Sequence, residues 1–178
     1  MIARGMRWSI LLFLALTAAS GPAQQRYPLT CFHAPRGGEL DTFPDCAAQA
    51  SDGTLRLAPA HLKRLDFDRS GLATIHVGRS FHYVRRDGRT APVVTMDNGA
   101  DPFVDGRARS EWQGKIGYVD RSLRLVIARR YDGAMAFDKG FAEVCVGCLL
   151  TGDGEHHWYT GGRWLRVDRA GRELAGKR

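Results

Sequence analysis

Gly140-Phe141-Ala142-Glu143-Val144 is the third appearance of one short pattern in this chain. Gly106-Arg107-Ala108-Arg109-Ser110 precedes it by 34 residues, and Gly71-Leu72-Ala73-Thr74-Ile75 lies 35 further back. A fixed period of this size marks one supersecondary unit, repeated and stacked. After the glycine, side chains alternate. Ala73, Ile75 and Val77 share a face opposite Leu72, Thr74 and His76, and Ala142, Val144 and Val146 lie opposite Phe141, Glu143 and Cys145. The middle copy sets Ala108, Ser110 and Trp112 against Arg107, Arg109 and Glu111. Alternation of period 2 with one apolar face predicts a half-buried strand in each copy.

Each copy continues in the same way. Phe81-His82-Tyr83-Val84, Ile116-Gly117-Tyr118-Val119 and Trp164-Leu165-Arg166-Val167 read as second strands, reached through short polar links such as Gly78-Arg79 and Gln113-Gly114-Lys115. Asp87-Gly88, Asp120-Arg121-Ser122 and Asp168-Arg169-Ala170-Gly171 then supply turn chemistry. Ala91 to Val94 and Leu125 to Ile127 follow as short third strands. Phe67, Phe103 and Phe137 each sit just before a repeat glycine and read as aromatic plugs in the seams between units.

Periods near 34 also occur in helical arrays, but glycine, aspartate and β-branched residues interrupt every window long enough for a helix pair. Only Pro59 to Leu65 reads as a helix, opened by proline. Three units fall short of a propeller. The expected fold is all-β: three tandem antiparallel β-meander repeats forming a curved sheet that closes in part, with an N-terminal disulfide-stapled cap and one short helix.

The first 23 residues carry Arg4 and Arg7, an apolar run from Ile10 to Ala19, and Gly21-Pro22-Ala23. The run is too short to span a bilayer and reads as a cleaved secretory signal. The organisation expected is therefore a signal peptide at 1–23, a cap segment at 24–53, the repeat domain at 54–175 and a basic tail at 176–178. The formal charge of +7 falls by two with the signal. The remaining basic residues read as solvated, edge-protecting charge, so neither nucleic acid nor a membrane span is expected of the mature chain. The expected location is periplasmic or secreted.

Four cysteines in an exported chain read first as two disulfides. Cys145 with Cys148 is nearest in sequence, leaving Cys31 with Cys46 to staple the segment between them, although crossed pairings stay open. Closing that second loop is worth about 3 kcal/mol in the chain-entropy estimate.

Several stretches resemble the WG repeat proteins of bacteria: Gly71-Leu72-Ala73, Lys115-Ile116-Gly117-Tyr118-Val119-Asp120, Tyr131-Asp132, and Phe137-Asp138-Lys139-Gly140-Phe141-Ala142-Glu143-Val144. Cys145-Val146-Gly147-Cys148, Asp153-Gly154-Glu155-His156 and Gly161-Gly162-Arg163-Trp164 are similar to one exported subgroup. The resemblance covers roughly residues 54–175 and implies a β-rich repeat fold with no established catalytic activity. The signature pair is altered in every copy. Ile116 replaces the tryptophan before Gly117, Leu165 replaces the glycine after Trp164, and Phe81-His82 replaces both. Losing the glycine implies that close backbone approach is not needed in every copy.

The last copy carries some 14 additional residues, including Cys148, Asp153, Glu155, His156, His157, Trp158 and Tyr159. A metal site on Cys145, Cys148, His156 and His157 would need better-spaced histidines, and a redox site would need a stabilised thiolate. No Gly-x-Ser-x-Gly elbow or His-Glu-x-x-His helix occurs, and Asp97-Asn98-Gly99-Ala100-Asp101 lacks the spacing of a calcium loop. No catalytic residue, metal or cofactor is assigned. The expected function is a non-enzymatic binding or structural module. A protein, peptide or carbohydrate would lie across Tyr83, Trp112, Tyr118, His156 or Trp158. The alternative is an envelope enzyme or a redox or metal-binding factor built on the Cys145–Tyr159 insertion.

Overall fold

The computed structural model describes residues 26–153 and 156–175; the expected signal segment and the 176–178 tail lie outside them. The chain opens with β1 (Leu29–His33), β2 (Asp41–Gln49), β3 (Leu55–Leu57) and α1 (Pro59–Leu62). The first meander is β4 (Leu72–Val77), β5 (Ser80–Arg85) and β6 (Thr90–Val93), followed by a small linker hairpin, β7 (Thr95–Met96) with β8 (Gly99–Ala100). The second meander is β9 (Arg107–Trp112), β10 (Lys115–Asp120) and β11 (Leu125–Tyr131), and β12 (Gly133–Ala134) leads to the third, β13 (Phe141–Gly152), β14 (His157–Asp168) and β15 (Glu173–Leu174). The three expected meanders are present.

Their registers repeat. Ala73 faces Val84, Ala108 faces Val119 and Ala142 faces Val167, and all six are buried. Turn chemistry sets these pairings. Gln113 and Gly114 both take positive φ in the two-residue link between β9 and β10, a conformation that matches strand twist. Asp120 Oδ1 accepts from the Ser122 and Arg124 amides, and Asp168 Oδ1 does the same for Ala170 and Arg172, so each aspartate replaces missing backbone acceptors. The faint calcium-loop stretch is also a turn: Asp97 and Asn98, both at positive φ, join β7 to β8.

The strands form three main sheets. The largest runs β3-β2-β1-β4-β5-β6, uniting cap and first meander, while β11-β10-β9 and β12-β13-β14-β15 hold the other two. Because β3 pairs with β2, the hydrogen-bonded cap unit runs past residue 53 to Leu57. This sheet curls until its edges meet. The Thr90 hydroxyl on β6 donates to the Leu55 carbonyl on β3 and accepts from the Leu55 amide. Partial closure therefore occurs between cap and first meander. The Cys31–Cys46 disulfide sits inside this curl, among Ala47, Leu57, Ile75 and Val84.

The helix is shorter than expected, ending at Leu62. Its N-cap residue, Ala58, supplies no side-chain bond, and Leu65 is drawn into a bridge with Pro35 and buried.

The other cores lie at the seams. Leu72, Ala91 and Val93 of the first meander pack with Ala108, Val119 and Leu123 of the second, and Ile116, Tyr118 and Ile127 pack with Ala142, Val144 and Val167 of the third. Two of the three phenylalanine plugs, Phe103 and Phe137, sit at seams between meanders, while Phe67 packs in part against the core of cap and first meander. Phe103 lies 5.0 Å from the Tyr83 ring and Phe137 4.9 Å from Tyr118. Each tyrosine hydroxyl donates across the seam, to the Asp101 and Met135 carbonyls respectively. The Asp105 carboxylate accepts from the Gly140 amide, tying the second meander to the third.

Arg109 departs from the half-buried pattern. It faces away from Ala108 as expected, yet is buried, because the seam closes over it. Its guanidinium pairs with Asp101, which is 1% exposed, and donates to the Ala134 carbonyl, while Asp101 also accepts from the Arg109 amide.

Position 117 explains why the signature glycine varies. β11 bulges against β10 there, and a Cβ on Gly117 would fall 2.2 Å from the Ile127 carbonyl oxygen. In the first meander the pairing is regular and His82 simply faces Pro92. In the third, β15 pairs only with Arg166 and Val167, so no third-strand residue opposes Leu165. The glycine is needed only where a neighbouring backbone crosses the position.

Candidate functional site: the extended hairpin of the last meander

The additional residues of the last copy form an arm. β13 and β14 are each twelve residues long, against six in the corresponding strands of the earlier copies. Their inner halves, Phe141 to Val146 and Arg163 to Asp168, make the ordinary meander. Beyond them the register continues from Cys148↔Gly161 to Gly152↔His157.

Gly147, Gly161 and Gly162, all at positive φ, mark the junction between the halves. This is where glycine is required, since an ordinary residue there would be strained. Cys145 and Cys148 are bonded across the bend, with Cα atoms 6.0 Å apart. A Cβ on Gly162 would come within 2.6 Å of Cys145 Sγ, and one on Gly133 within 2.8 Å of Cys148 Sγ. The disulfide is thus wedged between two glycines and buried. Asp132 pins the same junction. It accepts from the Gly147 amide at 2.8 Å and from Lys115 Nζ at 2.5 Å, and these two donors hold its carboxyl below the usual range.

The outer half is a two-stranded ribbon. Leu149, Thr151, Trp158 and Thr160 share one face, where the two threonine hydroxyls lie 3.0 Å apart. Leu150, Tyr159 and His157 share the other. Tyr159 turns back toward the body, with its ring 6.0 Å from Trp164, and burial pushes its phenol upward in pKa. The remaining apolar side chains do not turn back. Leu149 is 71% exposed, Leu150 62% and Trp158 46%. The ribbon's flanks are open as well: β12 stops at Cys145 and Val144, β15 at Arg166 and Val167, and among the described residues no further strand pairs with either side.

The expected site residues therefore separate into two groups. His156 and Trp158 both lie on the arm; the His156 amide donates to Asp153 Oδ1, and its ring nitrogen lies 3.7 Å from the Asp153 carboxylate. Tyr83, Trp112 and Tyr118 are engaged elsewhere. Tyr118 is wholly buried, and burial raises its phenol far above the ordinary range. Tyr83 is half-buried against Phe103. Trp112 lies over Gly53 and donates from Nε1 to the Ser51 carbonyl, holding the second meander to the cap. None of the three joins the arm.

Cys145 and Cys148 are bonded to each other, and among the described residues no group of three or more His, Cys, Asp or Glu is placed to hold a metal ion. Among those residues, no helix is long and apolar enough to cross a membrane. Sequence reasoning passed over Leu149 and Leu150, the most exposed apolar pair on the arm. The available signal was two adjacent leucines in a stretch that must send one to each face.

Residues 116–147 match the family model described as WG containing repeat. The match starts on β10 of the second meander and ends at the bend in β13, so the unit it defines spans a seam. That stretch is thus similar to a WG repeat, in keeping with the resemblance drawn from its motifs. No curated protein and no solved structure matches the chain.

Proposed function

We propose that this protein is an exported, non-enzymatic binding module that uses the arm to engage an extended segment of a protein partner. The exposed Leu149, Leu150 and Trp158 on a ribbon with open flanks carry this reading. A fold gains nothing from placing three large apolar side chains in water, and apolar surface of this kind marks an interaction site. The open flanks offer backbone N–H and C=O groups to an added strand, which supplies affinity, while the side chains supply specificity.

The buried disulfide supports a structural part for Cys145 and Cys148 rather than thiol exchange, which needs an accessible thiolate. Export is supported by the two disulfides and by the basic, apolar and small-residue order of residues 1–23.

The test is a triple substitution, Leu149→Ser, Leu150→Ser and Trp158→Ser, compared with the parent chain for partner capture from envelope extract and for thermal unfolding. The expected result is an unchanged unfolding midpoint with loss of the proteins captured by the parent. An unchanged captured set would end the proposal.

A further inference from the structure

A second site lies at the other end of the molecule, independent of the arm. Where the cap meets the first meander there is an open cleft of about 350 Å³. Pro59, Leu62 and Phe67 form its apolar floor, and Arg36, Lys63 and Arg86 its rim. Three elements build it: the turn after β1, the helix α1 and the turn between β5 and β6. Leu62 joins two of them, since a Cβ on Gly88 would lie 3.4 Å from its methyl group.

The charges in this cleft are uncompensated. Among the described residues, Arg36, Lys63 and Arg86 form no ion pair with a carboxylate. The neighbours of Arg86 behave differently. Arg85 and Arg89 both lie within ion-pair distance of Asp87 and donate to the Arg121 and Ser122 carbonyls across the seam. Arg86 instead lies over Phe67, its guanidinium carbon 4.6 Å from the ring centroid. A guanidinium placed over a ring, with no carboxylate partner, has N–H donors to offer an oxyanion, two of them in parallel. Gathering three like charges without an acid does not help the chain fold; it raises the local concentration of anions.

From this arrangement we infer that the cleft binds a phosphate monoester carrying a small apolar or aromatic group. Three cations match a dianion better than a single carboxylate, and Leu62 and Phe67 offer the apolar contact. The volume lies within the span of about 300–1,000 Å³ usual for small-ligand sites. The phosphate could reach the cleft on a soluble molecule or as a lipid headgroup, and the two sources share this chemistry.

Calorimetric titration of the purified chain with phenyl phosphate and with inorganic phosphate tests it. The expected result is saturable 1:1 binding, several-fold tighter for phenyl phosphate. Arg86→Gln should weaken it about tenfold, Lys63→Gln by a smaller factor, and Arg163→Gln, which removes the same charge from the third meander, by less than about twofold. Equal thermal midpoints establish that the variants are folded. Vesicles of phosphatidylcholine with and without phosphatidic acid then separate the sources. Binding that phenyl phosphate displaces assigns the lipid, and absence of vesicle binding assigns the soluble ester. No saturable binding of phenyl phosphate, equal binding by the Arg86→Gln and Lys63→Gln variants, or vesicle binding that phenyl phosphate leaves intact would overturn the inference.

Discussion

The first and last meanders share a register residue for residue, with Ala73 facing Val84 as Ala142 faces Val167, yet they end in opposite ways. The first is sealed. Its outer strand is fastened to the cap through Thr90, and its core encloses a disulfide. The last projects an arm whose apolar side chains meet water. The difference comes from what lies beside each strand. Where a full third strand or the cap is present the meander closes, and where β15 is only two residues long β13 and β14 run on alone. Sealing gives stability, and openness leaves groups free to bind.

The sharpest way to break this comparison is at the signature position of the middle meander. Gly117→Leu should abolish cooperative folding, a loss of more than about 4 kcal/mol, because the Ile127 backbone occupies the space. The equivalent Leu165 sits in the open meander without that obstacle, so Leu165→Gly should leave a folded protein. Urea denaturation of both separates crowding from a general intolerance at that position.

Next in size is the buried ion pair at the seam. Asp101→Ala strands Arg109 in the interior and should cost about 3–5 kcal/mol. Joint replacement, Asp101→Leu with Arg109→Met, should recover most of that loss in a double-mutant cycle. If the single and double variants are equally unstable, the pair is not what holds the seam.

A pH titration of stability addresses the sealed end. His82 is fully buried, and burial is the largest reason its pKa falls to about 4, against the opposing pull of the Gly53 carbonyl. The folded state therefore resists protonation while the unfolded chain protonates near pH 6.5. Stability present at neutral pH should decline as pH drops from about 6.5 to about 4, by about 3 kcal/mol from this group. His82→Leu, the residue found at the equivalent position 165, should remove that share of the slope. An unchanged slope would place the acid sensitivity in other groups.

The two disulfides should differ modestly. Replacing Cys31 and Cys46 with alanine opens a 15-residue separation and should cost about 3 kcal/mol, whereas opening the three-residue separation of Cys145 and Cys148 should cost about 2. Thermal unfolding of the two double variants measures the gap. The smallest effect belongs to the arm: Leu149→Ser with Leu150→Ser should shift stability by less than about 0.5 kcal/mol. A larger loss would mean the arm packs against the body and is not the open partner in the comparison.

The meanders were legible because their signals are local. Strand alternation and Asp-Gly or Gln-Gly turns act over two to six residues, and the repeat presents them three times. Close approach is not local. Nothing near Gly117 announces that β11 bulges over it, and the altered signature pairs only hint that copies differ there. The partnership of Arg109 with Asp101 was hidden for a related reason: a charged residue on an alternating strand reads as solvent-facing until the seam that covers it is known. At the arm, Gly147, Gly161 and Gly162 break the alternation, so an extended hairpin read as an insertion of unknown form. His156 and Trp158 lie on the arm, whereas Tyr83 and Tyr118 are drawn into seams that alternation along a strand does not announce.

The single hydroxyl of Thr90 gives the array a direction. By satisfying both backbone groups of Leu55, it leaves β3 and β6 joined at that point, so a further meander inserted before β4 would have to open a nearly closed sheet. Among the described residues, nothing comparable stands in the way at β15. A protein of this design has more room to be lengthened, or joined to another chain, at the β15 edge than between its cap and first meander.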